Sequence, residues 1–271
     1  MNAKAKWPTF LLCLLMLSGA ASAQRWNCSN RPAQQFDLRT STGANDYDRP
    51  VSWKLLVPNV LCDQKNIWLF PLHLTERRNW LPALGVAGAT AGLIALDPID
   101  GRYFNQTTAY DGFNDVFVTR GTELALVAVP AALYVTGWAR KNSKMERTAL
   151  LAGEAAADSG IVATVLKSVT SRKRPFSFTS RENYSDSFYD HSGSKVVGGG
   201  GFPSGHAIMA FSIATVIAHR YREHRWVPYA VYGAAAAVAF SRLSLAQHFA
   251  SDVFVGAALG YSISRFAVLR Y

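Results

Sequence analysis

The stretch RTALLAGEAAADSGIVATVLK, residues 147–167, decides the fold. Ala, Leu and Val dominate it, and apolar and polar residues never alternate as they would along a half-buried strand. It reads as one helix. Two acids interrupt it, Glu154 and Asp158. A carboxylate is costly at the centre of a bilayer unless it turns inward onto a partner. The two acids therefore weigh against a helix that spans lipid.

The same texture recurs on either side. Trp80–Leu96 holds 17 uncharged residues and Leu124–Ala139 holds 16. Ser204–Tyr221, Trp226–Arg242 and His248–Phe266 read as three further helices. The fold class is all-α, a helical bundle of about six core helices over residues 80–271. Residues 24–79 are polar and broken by Pro32, Pro50, Pro58 and Pro71. They form an irregular N-terminal extension.

Residues 1–23 stand apart from the fold. Lys4 and Lys6 precede the apolar run Phe10 to Leu17, and Ala21-Ser22-Ala23 supplies small residues for cleavage before Gln24. This is the pattern of a secretory signal peptide, and it places the chain in the periplasm or cell envelope. Cys13 leaves with the leader. Cys28 and Cys62 remain, either as a disulfide tying down the extension or as two thiols.

Each uncharged run falls short of the ~20 residues that a membrane span needs. The orientation cues also conflict. An exported N-terminus followed by three spans puts the chain after Lys167 in the cytoplasm. The basic loops, with Arg140, Lys141 and Lys144, and with Arg220, Arg222 and Arg225, mark the opposite side as inside. A bundle that is soluble or lies at the membrane surface removes the conflict; an integral bundle is the alternative.

Composition narrows the function. With 49 % apolar and 17 % charged residues over 271 positions, the chain is not a disordered one. The formal charge is +10, and loss of Lys4 and Lys6 with the leader lowers it by two. Such a surplus fits nucleic acid, a membrane surface or an anionic substrate. The basic residues are scattered, with no aromatic interleaving and no DNA-binding motif, so nucleic acid is not an expected partner.

Three segments carry the chemistry. Lys167 to Pro175 has the pattern K-x6-R-P, closing on Arg174. Pro203-Ser204-Gly205-His206 opens a helix after four glycines. Ser241-Arg242 is followed by His248 and then Asp252, the pattern S-R-x5-H-x3-D. Taken singly, each has an ordinary explanation. Lys167 and Arg174 suit a helix C-terminus. Ser204 suits an N-cap. His248 and Asp252, four apart, suit a structural contact. Together they offer three cations, a helix N-terminus with a Gly for close approach, one His oriented by a carboxylate, and one free His. Phosphoryl transfer needs charge on the equatorial oxygens, a nucleophile in line, and an acid for the leaving oxygen.

The three motifs, in this order, resemble the type 2 phosphatidic acid phosphatase family, whose superfamily also holds bacterial class A acid phosphatases and vanadium haloperoxidases. The spacers are 27 residues from Pro175 to Pro203 and 34 from His206 to Ser241. The resemblance covers about residues 80–268. It implies that His248 attacks phosphorus and forms a phosphohistidine, that Asp252 orients it, and that His206 protonates the leaving group and then activates water. Lys167, Arg174 and Arg242, with Ser204 and the Gly205 amide, hold the phosphate. It implies no metal and no cofactor. The expected substrate is a phosphomonoester or pyrophosphate, with a lipid or amphiphilic phosphate favoured over a soluble ester. A vanadate-dependent haloperoxidase and a non-catalytic phosphate binder are the alternatives.

His73, His191, His219 and His224 match no motif and read as core or surface residues. Arg172 and Lys173 read as solvated surface cations, and Ser241 as support for Arg242. The long loop 176–201 has the length to cover the site.

Overall fold

The computed structural model describes residues 49–73, 80–179, 182–189 and 198–269. Among these there are eight α-helices and no strand. They are α1 (Leu56–Leu69), α2 (Trp80–Gln106), α3 (Asp111–Val116), α4 (Thr119–Ala139), α5 (Ser143–Thr170), α6 (Gly205–Arg220), α7 (Trp226–Ser244) and α8 (Ala250–Ser262). The six expected helices are present, and α1 and the short α3 are additional. The leader and most of the extension lie outside the described residues, as does His191. Cys62 is disulfide-bonded; Cys28 lies outside the described residues.

The central helix overruns its expected ends. Asn142 caps α5, its side chain accepting from the Met145 amide at 3.1 Å. At the other end Ser171 adopts a left-handed conformation, φ 40°, and stops the helix. Lys167 therefore rides in the last helical turn, with Arg172 and Arg174 in the loop beyond.

Helix α6 forms the hub and packs on α5, α7 and α8. Val162 and Leu166 of α5, Ile208 of α6, and Val255 and Leu259 of α8 meet in one buried seam with Phe202. Each such side chain contributes roughly 1.5–3 kcal/mol by leaving water. Two glycines on α8 permit the close crossing. A Cβ at Gly260 would stand 2.2 Å from the Ile208 carbonyl oxygen, and one at Gly256 would stand 2.8 Å from that of Ser204. The crossing sets the start of α8 against the start of α6.

Glu154 and Asp158 are buried and turn inward. They face α1 and the segment before it. Arg49 pairs with Glu154 and with Asp63, its Nη2 lying 2.7 Å from Asp63 Oδ2. Gln64 donates to Asp158 Oδ1 at 2.9 Å. Part of the extension is thus a helix pinned to the bundle by buried charge.

The count of uncharged residues understated the apolar helices. Asp97 ends the uncharged run of α2 but not the helix, which continues through Pro98 to Gln106 for 27 residues. Its charge is absorbed by partners described below. Three segments are long and apolar enough to cross a membrane: Trp80–Gln106, Thr119–Ala139 and Ser143–Ser177. In the first two only 11 % and 22 % of the apolar window is buried inside the protein, against 61 % in the third. Leu81, Leu84, Leu96 and Ile99 of α2 and Leu124, Val127, Val135 and Trp138 of α4 point outward. A surface of that kind marks membrane association.

Candidate active site

The three motif segments lie in separate loops and helix ends, and backbone hydrogen bonds sew them together. The Gly201 amide donates to the Arg172 carbonyl at 2.7 Å, and the Phe176 amide to that of Ala246 at 2.9 Å. The Ser204 amide donates to the Asp252 carbonyl at 3.0 Å. Each bond joins a different pair of motifs, so no loop shifts alone.

Ser204 occupies the N-cap of α6 and accepts from the Ala207 amide at 3.5 Å. Gly205 follows as the first helical residue. A Cβ there would lie 3.0 Å from Lys167 Nζ. The ammonium thus sits against the free N–H end of α6, where lysine and helix dipole attract the same anion. Arg174 approaches from the loop after α5, its Nη1 held by Gln247 Oε1 at 3.2 Å.

Arg242 is wholly buried near the end of α7. Its Nε and Nη2 donate to Ser241 Oγ at 3.0 and 2.8 Å, and Nη2 also donates to the Phe117 carbonyl at 2.6 Å. Ser241 supports Arg242 as expected. This leaves Nη1 on the pocket side, 3.5 Å from His206 Nε2. The arginine presents one corner to the site rather than its fork. Burial lowers its pKa to about 10, against the pull of Glu123.

His248 does not lie on the last helix. It sits in the loop before it, with Phe249 as N-cap and Asp252 as third residue of α8. Asp252 accepts from the Phe249 amide through Oδ2 at 2.9 Å. The same oxygen lies 3.5 Å from His248 Nδ1, long for a hydrogen bond. Such contacts often tighten only when substrate is bound. The pair leaves Nε2 as the nitrogen that Asp252 does not engage.

Both histidines are held neutral. Burial, then Arg242, His248 and Lys167, push His206 down to about 3. Burial pushes His248 down to about 4, against the pull of Asp252. Burial raises Asp252, but Arg172, His248 and the Phe249 amide more than offset this and hold it below the usual carboxylate range.

Of the candidate residues, the structure brings His206 beside Arg242, His248 beside Asp252, and Lys167 beside Gly205. Lys167 and Arg174 lie close enough to His248 to depress its protonation. Residues outside the motifs join them. Glu123 of α4 is exposed at the rim, its Oε1 3.7 Å from His206 Nε2. Asp97 and Asp100 of α2 accept from the Ser251 and Ala250 amides at 3.2 and 2.7 Å, capping α8 from outside. Arg172 is not a surface cation. It is buried at 2 % exposure and paired with Asp252 and Asp97. Lys173 pairs with Glu182 near the surface.

The PAP2 superfamily model matches residues 148–271. The matched residues, somewhat under half of the chain, support a place in the PAP2 superfamily. No curated protein and no solved structure matches the chain. The match begins inside α5 and takes in all three motifs. The PAP2 match supports phosphatase activity in the general sense, on a phosphate ester. Helices α2 and α4 precede the matched residues, yet Asp97, Asp100 and Glu123 reach the candidate site from them.

Proposed function

We propose that the protein is a metal-independent phosphomonoesterase or pyrophosphatase of the cell envelope, acting on a lipid or amphiphilic phosphate through a phosphohistidine. The observation that carries this reading is the convergence of an oriented His, a free His and three cations at the N-terminus of α6.

The phosphate enters as an anion and meets Lys167, Arg174, the Nη1 corner of Arg242 and the open amides beside Ser204 and Gly205. These neutralise the equatorial oxygens, the part that a metal ion plays elsewhere. His248 Nε2 attacks phosphorus, with Nδ1 turned toward Asp252 Oδ2, which accepts its proton's hydrogen bond as the pair closes on substrate. The P–N bond forms as the P–O bond to the leaving group breaks, and His206 donates a proton to the departing oxygen. Water then attacks the phosphohistidine, His206 takes its proton, and inorganic phosphate leaves. His206 must carry a proton in the first step although burial and the neighbouring cations hold it neutral. The arriving phosphate supplies the missing negative charge, so substrate and proton bind together.

The exposed apolar faces of α2 and α4 support the lipid substrate and a seat in a membrane. The disulfide at Cys62 supports an oxidising compartment, in line with export through residues 1–23. The test is phosphate release from phosphatidate and from p-nitrophenyl phosphate by detergent-solubilised protein and by its His248→Ala variant. Release is expected from the wild type alone and in the presence of EDTA. Equal release from both proteins discards the assignment. Resistance of the protein to carbonate extraction of membranes is expected as well.

A further inference from the structure

We propose that Arg172 is a positioning residue: it fixes Asp252, with Asp97 as its counter-ion, and through Asp252 it fixes the nucleophile. The proposal rests on the reading of His248 as nucleophile.

Arg172 lies in the loop between Lys167 and Arg174, but its surroundings differ from theirs. All three guanidinium nitrogens are used inside the protein. Nε donates to Ser187 Oγ at 3.0 Å. Nη1 donates to Asp252 Oδ1 at 2.5 Å and to Ser251 Oγ at 2.7 Å. Nη2 donates to Asp97 Oδ2 at 2.5 Å. The rings of Phe188 and Phe249 lie on the guanidinium, each 4.2 Å from its carbon. A cation so enclosed has nothing left for a phosphate oxygen. Whatever it does for the reaction passes through Asp252.

It determines two properties of that carboxylate. The first is orientation. Arg172 takes Oδ1, so Oδ2 is left to the Phe249 amide and to His248 Nδ1. The second is charge. Asp252 has no exposed surface, and burial alone favours its protonated form. Protonated, it no longer competes for the Nδ1 hydrogen. The groups facing Asp252 are His248, Lys167, Arg172 and Arg174, with Asp97 beyond Arg172 and Asp100 at the Ala250 amide. Asp97 keeps the set of Asp97, Arg172 and Asp252 at one net negative charge. That charge steadies the positive charge which His248 gains on attacking phosphorus.

The test uses the full chain in detergent with p-nitrophenyl phosphate, and compares Arg172→Gln, Arg172→Lys, Asp97→Asn, Asp252→Asn and the double variant Arg172→Gln/Asp252→Asn. Arg172→Gln is expected to lower kcat at least about tenfold with KM within about twofold. It should also move the acid limb of kcat to higher pH, because Asp252 then takes a proton more readily. Arg172→Lys should restore the limb in part, and Asp97→Asn should move it the other way. The double variant should be no slower than Asp252→Asn, since both changes break one chain. Additive losses, or an acid limb that stays in place while only the melting temperature falls, overturn the proposal. The His248 tautomer, read from ¹⁵N shifts, reports on positioning without turnover: Nδ1–H in the wild type, a mixture in Arg172→Gln. An unchanged tautomer overturns the proposal whatever the rates. Should Arg172→Gln fail to fold, Arg172→Lys and Asp97→Asn carry the same readouts. A wild type that hydrolyses nothing while its tautomer responds removes the phosphatase reading and leaves the positioning role in place.

Discussion

The chain from Thr148 onward and the chain between Trp80 and Ala139 handle polar and apolar groups in opposite ways. The first half buries charge. Arg242, Asp252 and His248 are nearly or wholly enclosed, and α6 and α8 approach so closely that glycine is required between them. The second half exposes apolar surface along α2 and α4. Yet the second half sends polar groups into the first, at Asp97, Asp100 and Glu123, and the Phe117 carbonyl holds Arg242. On the proposed mechanism the PAP2-matched segment carries the reacting groups, and the segment before it supplies part of their electrostatic surroundings and an exposed apolar surface. Such a division implies that substitutions in the first half abolish the chemistry or the packing, whereas outward substitutions in the second do neither.

The largest effect is expected from His248→Ala, a loss of about 10⁴-fold or more in kcat, because the proposed nucleophile is removed. Single-turnover phosphate release measures it, and a loss below tenfold breaks the division at its centre. His206→Gln follows, with about 10²–10⁴-fold for a general acid. That loss depends on the leaving group. An alkyl phosphate needs the proton and should show the full effect, while p-nitrophenolate leaves readily without one. Equal losses on the two substrates remove His206 from the acid role.

A pH effect on stability comes next. The two neutral histidines hold their protons less well folded than unfolded, about 4 for His248 and about 3 for His206 against an ordinary value near 6.5. At these two sites the unfolded chain therefore binds more protons between about pH 6.5 and pH 3, and their contribution to stability falls as pH falls through that window. Between pH 7 and pH 5 the midpoint of thermal unfolding of the wild type should fall relative to that of His248→Ala. A midpoint difference between the two proteins that does not change with pH contradicts the buried, neutral state of the His248 ring.

How much of this was legible in the sequence follows from the range of each interaction. The helices were, because periodicity and composition are local. The ends were less so: Asp97 broke the uncharged run but not the helix, since its carboxylate is taken up by Arg172 and Ser251 from distant parts of the chain. The three motifs named His206, His248, Asp252, Lys167 and Arg242, whose contacts link the starts of α6 and α8 to the ends of α5 and α7. Arg172 was misread as solvated because nothing near it in sequence reveals two phenylalanine faces and two carboxylates. Glu123 and Asp100 carried no local signal either. Nor did anything near Arg242 in sequence show that the Phe117 carbonyl and Ser241 occupy one side of its guanidinium.

The smallest effects give the finest test, because the same chemical change is made in both halves. At Gly260 an added methyl meets the Ile208 carbonyl oxygen at 2.2 Å, and its nearest neighbours there are backbone atoms, which cannot step aside as a side chain would. Gly260→Ala should force α8 away from α6, destabilise the protein by about 1–3 kcal/mol, and lower kcat as Asp252 moves away from Ser204. At Gly88 and Gly92 on α2 nothing lies within 4 Å of the new methyl, and both positions are exposed. There the gain in helix propensity is unopposed, so Gly88→Ala should stabilise by up to about 1 kcal/mol with kcat unchanged. Thermal unfolding and turnover of the two variants, measured in one detergent, decide the matter. A destabilising Gly88→Ala would mean that the outer face of α2 is packed against something, and the contrast between the two halves would have to be redrawn as one between an inner and an outer interface.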